Sequence, residues 1–357
     1  RVSALDDRIS ANNQYRIPAT FLVVVLVLVL TLAWPRAGLL GFGAVLGANL
    51  LLGLAAVSDP WAVLPLLGVA VLAGGVFLAY ALRSPLAMGL FLSAVLVGYL
   101  IALGAGPAVA LSPFGPTQNG RFFGLSNLLE TMLLVPAFTA GTFLARKLGA
   151  AGFGAVALIA FVAVAGNRFG ADGGGAIVLA VGFAVLGSLL WEARGGVLVA
   201  ALAAALALAV GLIALDAATG TSSHVTRALD SGPGGLAADL RDRVTISWER
   251  MASRPEIAVI AAIGFVALVG LTLRVIKSDR PLSERGLPLG LAAAIATSLL
   301  VNDSPNDVAL IGSLGLLVCD LVMLPDRCAA ASCLRSPLAF SWPAAAERRL
   351  SRPRQKP

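Results

Sequence analysis

Long apolar segments recur along the chain and constrain its fold more than any other feature. Each is close to the roughly 20 helical residues that cross a hydrocarbon core about 30 Å thick. The segments are continuously apolar, without the alternation typical of a membrane strand, so spanning helices are predicted and spanning strands are excluded. We place about eleven spans, at 18–34, 38–57, 62–82, 86–111, 123–145, 150–166, 174–191, 196–215, 256–276, 287–301 and 306–325.

The composition agrees with a membrane protein. Hydrophobic residues make up 58% of the 357 residues and charged residues only 13%, which leaves too little polar surface for a soluble domain of this size. A net charge of +7 could suggest a nucleic-acid partner, but the basic residues lie between apolar segments and in the C-terminal tail, where membrane topology explains them. We therefore expect an all-α, polytopic integral membrane helix bundle that has membrane lipid as a partner and does not bind nucleic acid.

Lysine and arginine in the short connections predict the orientation, because these residues favour the cytoplasmic side. The alternate connections on the other side contain only Arg121 and Arg168, apart from the long loop 216–255, which the rule exempts. We therefore predict a protein of the bacterial cytoplasmic membrane that has its N-terminus outside the cell and its C-terminus in the cytoplasm. The basic set of connections holds Arg36, Arg83, Arg146, Lys147, Arg194, Arg274, Lys277, Arg280 and Arg285.

Three regions follow from this topology. Residues 1–17 are polar and are predicted to form an extracytoplasmic or interfacial segment. Residues 18–325 form the transmembrane domain, in which the outer loop 216–255 contains an amphipathic helix. Residues 326–357 form a basic cytoplasmic tail. The chain begins at Arg1 without a signal peptide pattern, which predicts a fragment or a processed product.

The first polar motif runs from Asn119 to Glu130, at the start of an apolar segment. If the helix begins near Phe122, Glu130 lies about 12 Å along its axis, close to the midplane of the membrane. Asn127 shares a helical face with Glu130 at a spacing of three residues. A buried acid is costly in lipid and indicates a functional site. The alternative is a neutral glutamic acid that is hydrogen-bonded to Asn127 and has a structural role.

The second motif, Gly166 to Gly175, contains Asn167, Arg168 and Asp172. It weakly repeats the Arg-Phe-Gly pattern of the first motif, and its glycines allow the backbone to approach a ligand. Free N–H groups at the following helix start favour an anion. Asp172 is either a metal ligand or a cap that uses the same N–H groups.

The third motif is Asn302-Asp303-Ser304-Pro305-Asn306-Asp307. Its carboxylate, amide and hydroxyl oxygens could bind a hard cation, either divalent or monovalent. The same residues would also make an ordinary turn, in which Ser304 or Asp303 caps a helix that begins at Pro305.

The fourth motif, Ser222 to Arg227, contains the only histidine of the chain, His224. A histidine in a loop is usually solvated, but here it could serve as a general base or a metal ligand.

The predicted topology places all four motifs on the outer face. Arginine suits the recognition of phosphate or carboxylate, and acids suit a cation or proton. We therefore predict catalytic or coupling roles for Glu130, His224 and Asp303, and metal binding by Asp172 and Asp303. The residues predicted to bind substrate are Arg121, Arg168, Arg227, Asn119, Asn127, Asn167 and Asn302.

The ordered motifs resemble those of a family of multi-pass envelope proteins of Gram-positive bacteria. The family has an Arg-aromatic-aromatic-Gly-x-x-Asn-Glu motif, a Ser-His-x-Gly-Arg motif and an Asn-Asp-Ser-Gly motif. The corresponding residues here are Arg121–Asn127, Ser223–Arg227 and Asn302–Ser304. The resemblance covers roughly residues 100–325 and implies a role in the cell envelope.

This chain departs from the family pattern at three positions. Leu128 stands where the family has glutamate, and Thr226 and Pro305 replace glycines. In the family, the membrane region often follows an extracytoplasmic domain of the alkaline-phosphatase/sulfatase superfamily. The resemblance therefore implies a hydrolase-like domain or partner upstream, and it assigns no catalytic residue here.

Three functions fit the sequence. The first is a transporter or lipid-handling translocator, in which an outward-facing site binds an anionic substrate and Glu130 couples an ion or proton. The second is an integral-membrane enzyme that acts at the outer face on a lipid-linked or phosphate-bearing substrate. The third is a non-catalytic membrane anchor or assembly subunit.

Overall fold

The computed structural model describes residues 2–117, 124–166, 169–170, 173–193, 255–302 and 304–324, together with scattered positions between 195 and 249. All regular secondary structure in these residues is helical. The helices are α1 (Val2–Ala33), α2 (Pro35–Leu54), α3 (Pro60–Val69), a π-helical segment (Ala70–Gly74), α4 (Gly75–Ala81), α5 (Pro85–Ala105), α6 (Asn127–Ala165), α7 (Gly173–Leu190), α8 (Pro255–Ile276), α9 (Leu282–Val301) and α10 (Pro305–Val322).

The described residues contain eight helices that are long and apolar enough to cross a membrane. One of them, Pro60–Ala81, combines α3, the π-helical segment and α4. A shorter apolar helix at Gly174–Leu190 adds a further candidate. The chain is thus a multi-pass helical membrane protein, as predicted from its composition. Most of the predicted span 196–215, most of the amphipathic loop helix and the whole basic tail lie outside the described residues.

The polar residues 2–17 are not a helix separate from the first predicted span. They belong to α1, which runs unbroken for 32 residues from Val2 to Ala33 and includes Pro18. At about 1.5 Å per residue this helix is about 48 Å long, which exceeds the hydrocarbon core by several turns. The polar residues therefore extend the first spanning helix instead of preceding it.

A glycine divides α6 into two halves. Gly149 has φ 62° and ψ −148°, a conformation that glycine adopts without steric cost. A Cβ atom built on Gly152 would lie 2.9 Å from the carbonyl oxygen of Leu144. Residues eight apart in a straight helix are separated by about 12 Å, so the chain turns sharply here. The two spans predicted at 123–145 and 150–166 correspond to these halves.

The connection between α5 and α6 packs inside the bundle. Residues 109–114 are buried, although the sequence predicts that the fourth span continues to residue 111 and α5 ends at Ala105. The side chain of Asn49 donates to Tyr99 Oη (2.8 Å) and Ser112 Oγ (3.1 Å) and accepts from the backbone N–H of Phe114 (3.0 Å). These hydrogen bonds satisfy the polar groups of a buried non-helical segment, which lipid could not do.

Candidate functional site

The N-terminus of α6 sets the position of Glu130. Ser126 caps this helix, because its hydroxyl accepts from the backbone N–H of Leu129 at 3.1 Å and donates to the carbonyl of Phe114 at 2.6 Å. The helix therefore begins at Asn127, and the start predicted near residue 122 is wrong. Glu130 lies in the first turn, about 4.5 Å along the axis instead of 12 Å.

Glu130 is nevertheless fully buried, with 0% exposure. Its Oε2 accepts a hydrogen bond from Asn302 Nδ2 at 2.9 Å, and the same amide donates to Ser298 Oγ at 2.8 Å. A Cβ atom built on Gly175 would lie 3.0 Å from Glu130 Oε1, so the first turn of α7 also lies against the carboxylate. One side chain thus contacts three parts of the chain: α6, α7 and the α9–α10 connection.

Two polar interactions surround the buried carboxylate of Glu130. The positive end of the α6 helix dipole lies at the first turn, where Glu130 is placed. The Asn302 amide donates a hydrogen bond to the carboxylate oxygen. Both interactions offset the cost of burying a carboxylate. The position therefore suits a group that can hold a proton or a small cation.

A second contact joins the first and third motifs. Asn127 Nδ2 donates to Ser304 Oγ at 3.2 Å, one helical turn away from the contact between Glu130 and Asn302. The second motif meets the first through a hydrogen bond from the backbone N–H of Leu125 to the carbonyl of Gly170, at 3.1 Å. Three of the four predicted motifs therefore converge. We call this region the motif end, defined by Asn127, Glu130, Gly175, Asn302 and Ser304.

Sequence reasoning missed the contribution of α1 to the motif end. Arg16 Nη1 donates to the carbonyl of Gly115 at 2.5 Å, and its Nη2 lies 3.9 Å from Asp307 Oδ2. Arg8 and Asn12 bind other backbone carbonyls of the same end. The four-residue spacing of Arg8, Asn12 and Arg16 places them on one helical face. That spacing was the signal that could have identified them.

Most other predicted site residues lie outside the described residues, so the structure gives no geometry for them. Within the described residues, no group of three or more His, Cys, Asp or Glu side chains is placed to hold a metal ion. The undescribed site residues are Asn119, Arg121, Asn167, Arg168, Asp172, His224, Arg227 and Asp303.

The opposite end of the bundle contains a second buried acid. Asp320, near the C-terminus of α10, is 0% exposed and forms an ion pair with Arg280 of the α8–α9 connection. Arg274 Nη2 lies 3.5 Å from Asp320 Oδ2. We call this region the basic end, defined by Arg274, Arg280 and Asp320. An acid in an apolar segment identified Glu130, and the same signal would have identified Asp320.

An apolar cavity of about 530 Å³ lies between the second half of α6 and α7. Phe153 and Phe161 line one side, and Leu179, Phe183 and Trp191 line the other. None of the predicted site residues lines this cavity. The convergent polar groups of the motif end, and not this apolar cavity, therefore define the candidate site.

The sequence matches no family model, and no curated protein or solved structure gives a match. The fold and the site alone define the class, which is a multi-pass helical membrane protein with a buried polar cluster at one end. The resemblance to Gram-positive envelope proteins stays a prediction.

Proposed function

We propose that the protein is a transporter or lipid-handling translocator of the bacterial cytoplasmic membrane, with the motif end on the outer face and Glu130 as the coupling group. The observation that carries this proposal is the hydrogen bond between fully buried Glu130 and Asn302, which are 172 residues apart in the chain. Intramembrane acids that face the interior of a bundle are typical of ion and proton pathways.

A coupling group must interact differently with the two states of a protein, because a ligand shifts an equilibrium only through differential affinity. Glu130 meets this requirement. A proton or cation on its carboxylate would weaken the bond from Asn302 and change the contact with Gly175. Occupancy of one group would thus alter the packing of α6 against both α7 and the α9–α10 connection.

The anionic substrate is proposed to bind arginine at the same end. Arg121 and Arg168 precede Leu125 and Gly170, whose backbones are hydrogen-bonded to each other. Arg16 adds a largely buried cation, since its side chain is 12% exposed. Phosphate and carboxylate groups are the ligands that arginine recognises best.

The test uses purified protein in proteoliposomes under an imposed pH gradient. Uptake of radiolabelled isoprenoid phosphates and sugar phosphates is measured for the wild type and Glu130→Gln. Glutamine keeps the size of the side chain and can still accept from Asn302, but it cannot carry the charge. We expect uptake of the transported compound to lose its dependence on the gradient.

Glu256→Gln is the matched control, because Glu256 also lies in the first turn of a helix but is exposed. This variant should transport as the wild type does. The coupling role would be refuted if Glu130→Gln left the uptake of every tested compound unchanged.

An enzyme acting at the outer face on a lipid-linked or phosphate-bearing substrate is the second candidate. The convergence of three polar motifs at one end favours it, since a hydrolytic or transfer site needs only one face. His224 would then act as acid or base, with Asp172 and Asp303 as ligands. Loss of turnover of a lipid-linked phosphate in folded His224→Ala would support this function, and unchanged turnover would oppose it. An anchor subunit predicts that both substitutions act only through stability.

A further inference from the structure

α10 carries an acid near each of its ends, and each acid meets an arginine from another element. Asp307 lies 3.9 Å from Arg16 at the motif end, and both side chains keep some exposure, at 27% and 12%. Asp320 is fully buried at the basic end and is bound by Arg280 and Arg274. The two contacts therefore differ in distance and burial, and the shorter and more buried contact lies at the basic end.

The Asp320 contact concentrates several interactions on one carboxylate. Oδ1 accepts from Arg280 Nη2, and Oδ2 faces Arg274 at 3.5 Å. The Arg280 guanidinium also lies 3.5 Å from the Asp320 backbone carbonyl, and its Nε lies 3.3 Å from Ser278 Oγ. A charge buried in this way is stable only while its partner is present.

The Asp320 contact lies next to a contact between α10 and α6. Cys319, the residue before Asp320, has its thiol 3.6 Å from the hydroxyl of Thr139 in the first half of α6. Both side chains are 0% exposed. Arg280 and Arg274 come from the α8–α9 connection and from the last turn of α8. The ion pair thus connects α8 and the α8–α9 connection to the C-terminal half of α10, which packs against α6.

We propose that the Arg280–Asp320 pair, supported by Arg274, is a latch that closes the basic end of the bundle. When it opens, the separated charges are hydrated at the membrane surface, and the C-terminal half of α10 moves away from Thr139. The opening gives the motif-end site a route to the opposite face. This inference rests on the proposed transport function, which requires access from both faces.

The native thiol of Cys319 reports on the latch without any substrate. Cys328→Ser and Cys333→Ser leave Cys319 as the only cysteine of the chain. In this background, a membrane-impermeant maleimide is applied to vesicles of each orientation, and the labelling rate is measured for the parent and for Arg280→Gln. We expect Arg280→Gln to raise labelling about tenfold or more, and only from the face that carries the basic end.

Two further variants separate latch opening from damage to the fold. Arg285→Gln is the matched control, since this arginine lies in the first turn of α9 and donates to the carbonyl of Ile276 at 3.0 Å. It should label at the parent rate. Arg280→Lys, which keeps a positive charge beside Asp320 and Arg274 in its native place, should label close to the parent rate.

Labelling of Arg280→Gln at the parent rate would overturn the latch, and so would labelling that rises equally from both faces. The transport assay gives an independent answer. Parent-rate labelling combined with uptake that depends on Glu130 would reject the latch and retain the coupling role. Faster labelling from one face combined with uptake indifferent to Glu130→Gln would retain the latch and reject the coupling role.

Discussion

The two ends of the bundle are held together in different ways. At the motif end, neutral amides and hydroxyls supply many of the side-chain hydrogen bonds, as in those of Asn12, Asn49 and Ser126. The ion pair at this end, between Arg16 and Asp307, is long and partly exposed. At the basic end, one carboxylate, Asp320, is held by arginines. Neutral hydrogen bonds each contribute about 1 kcal/mol net, so the loss of one of them weakens the motif end only slightly. The loss of one partner from a buried ion pair is much more destabilising.

Under the proposed transport function, this contrast fits a motif end that stays fixed and a basic end that opens when the contact of Asp320 is lost. The many small contacts of the motif end hold the α5–α6 connection in place around Glu130. At the basic end, the contacts of Asp320 join α10 to α8 and to the α8–α9 connection. The following changes should break or sharpen the contrast, and they are ordered by expected effect.

Replacing Asp320 should have the largest effect. Asp320→Ala leaves the Arg280 guanidinium, which is only 11% exposed, without its carboxylate. We expect a loss of about 3–5 kcal/mol in the free energy of unfolding, measured by denaturant titration in detergent micelles. A loss below about 1 kcal/mol, the level of an exposed pair, would show that the basic end does not depend on this contact.

Gly175→Ala should come next, because the added methyl group meets both Val164 and Glu130. A Cβ there would lie 2.4 Å from Val164 Cγ1 and 3.0 Å from Glu130 Oε1. We expect a cost of about 1–3 kcal/mol and reduced gradient-driven uptake. Gly154→Ala is the control, because a Cβ at Gly154 has no neighbour within 4 Å among the described residues. Equal behaviour of the two variants would contradict the close approach of α7 to Glu130.

Tyr99→Phe should have a smaller effect. Its hydroxyl accepts from Asn49 and donates to the Leu46 carbonyl at 2.9 Å. Asn49 keeps Ser112 and Phe114 as partners, so the expected loss is about 1 kcal/mol, measured by the same titration. A loss as large as that of Asp320→Ala would show that the motif end also depends on single residues.

Asp307→Asn should have the smallest effect. The Arg16–Asp307 contact is 3.9 Å long, and the acid is 27% exposed. We expect a change of at most about 1 kcal/mol, further reduced at high salt because exposed pairs are screened. Arg16 keeps its bond to Gly115 in this variant. A large, salt-independent loss would place the stronger closure at the motif end.

Periodicity and hydropathy predicted most of the helices, because a membrane helix must satisfy its own backbone and show a long apolar surface. The ends of helices were less predictable. Ser126 fixes the start of α6, and its hydroxyl donates to the carbonyl of Phe114, twelve residues earlier. No local sequence pattern reveals such a bond. Similarly, the polar residues before Pro18 join α1 because tertiary contacts cover them.

The site was predictable in part for a related reason. Glu130 stood out because an acid in an apolar segment is costly. Its partner Asn302 was selected for oxygen ligands in a turn, but Asn302 bonds to Glu130 through its amide nitrogen. The pairing of Glu130 with Asn302, 172 residues further along the chain, depends on how the helices pack. That packing cannot be read from a single sequence. Asp320 was overlooked because the nearby arginines were used only to predict orientation.

The contact between α2 and α4 has a mechanical consequence. A Cβ atom on Gly75 would lie 2.6 Å from the Ala37 carbonyl oxygen and 2.9 Å from the Gly41 Cα, so these two backbones touch directly. Helices in such contact cannot slide past each other without separating first. We expect α2 and α4 to keep their relative position, as one rigid unit, when the rest of the bundle changes conformation.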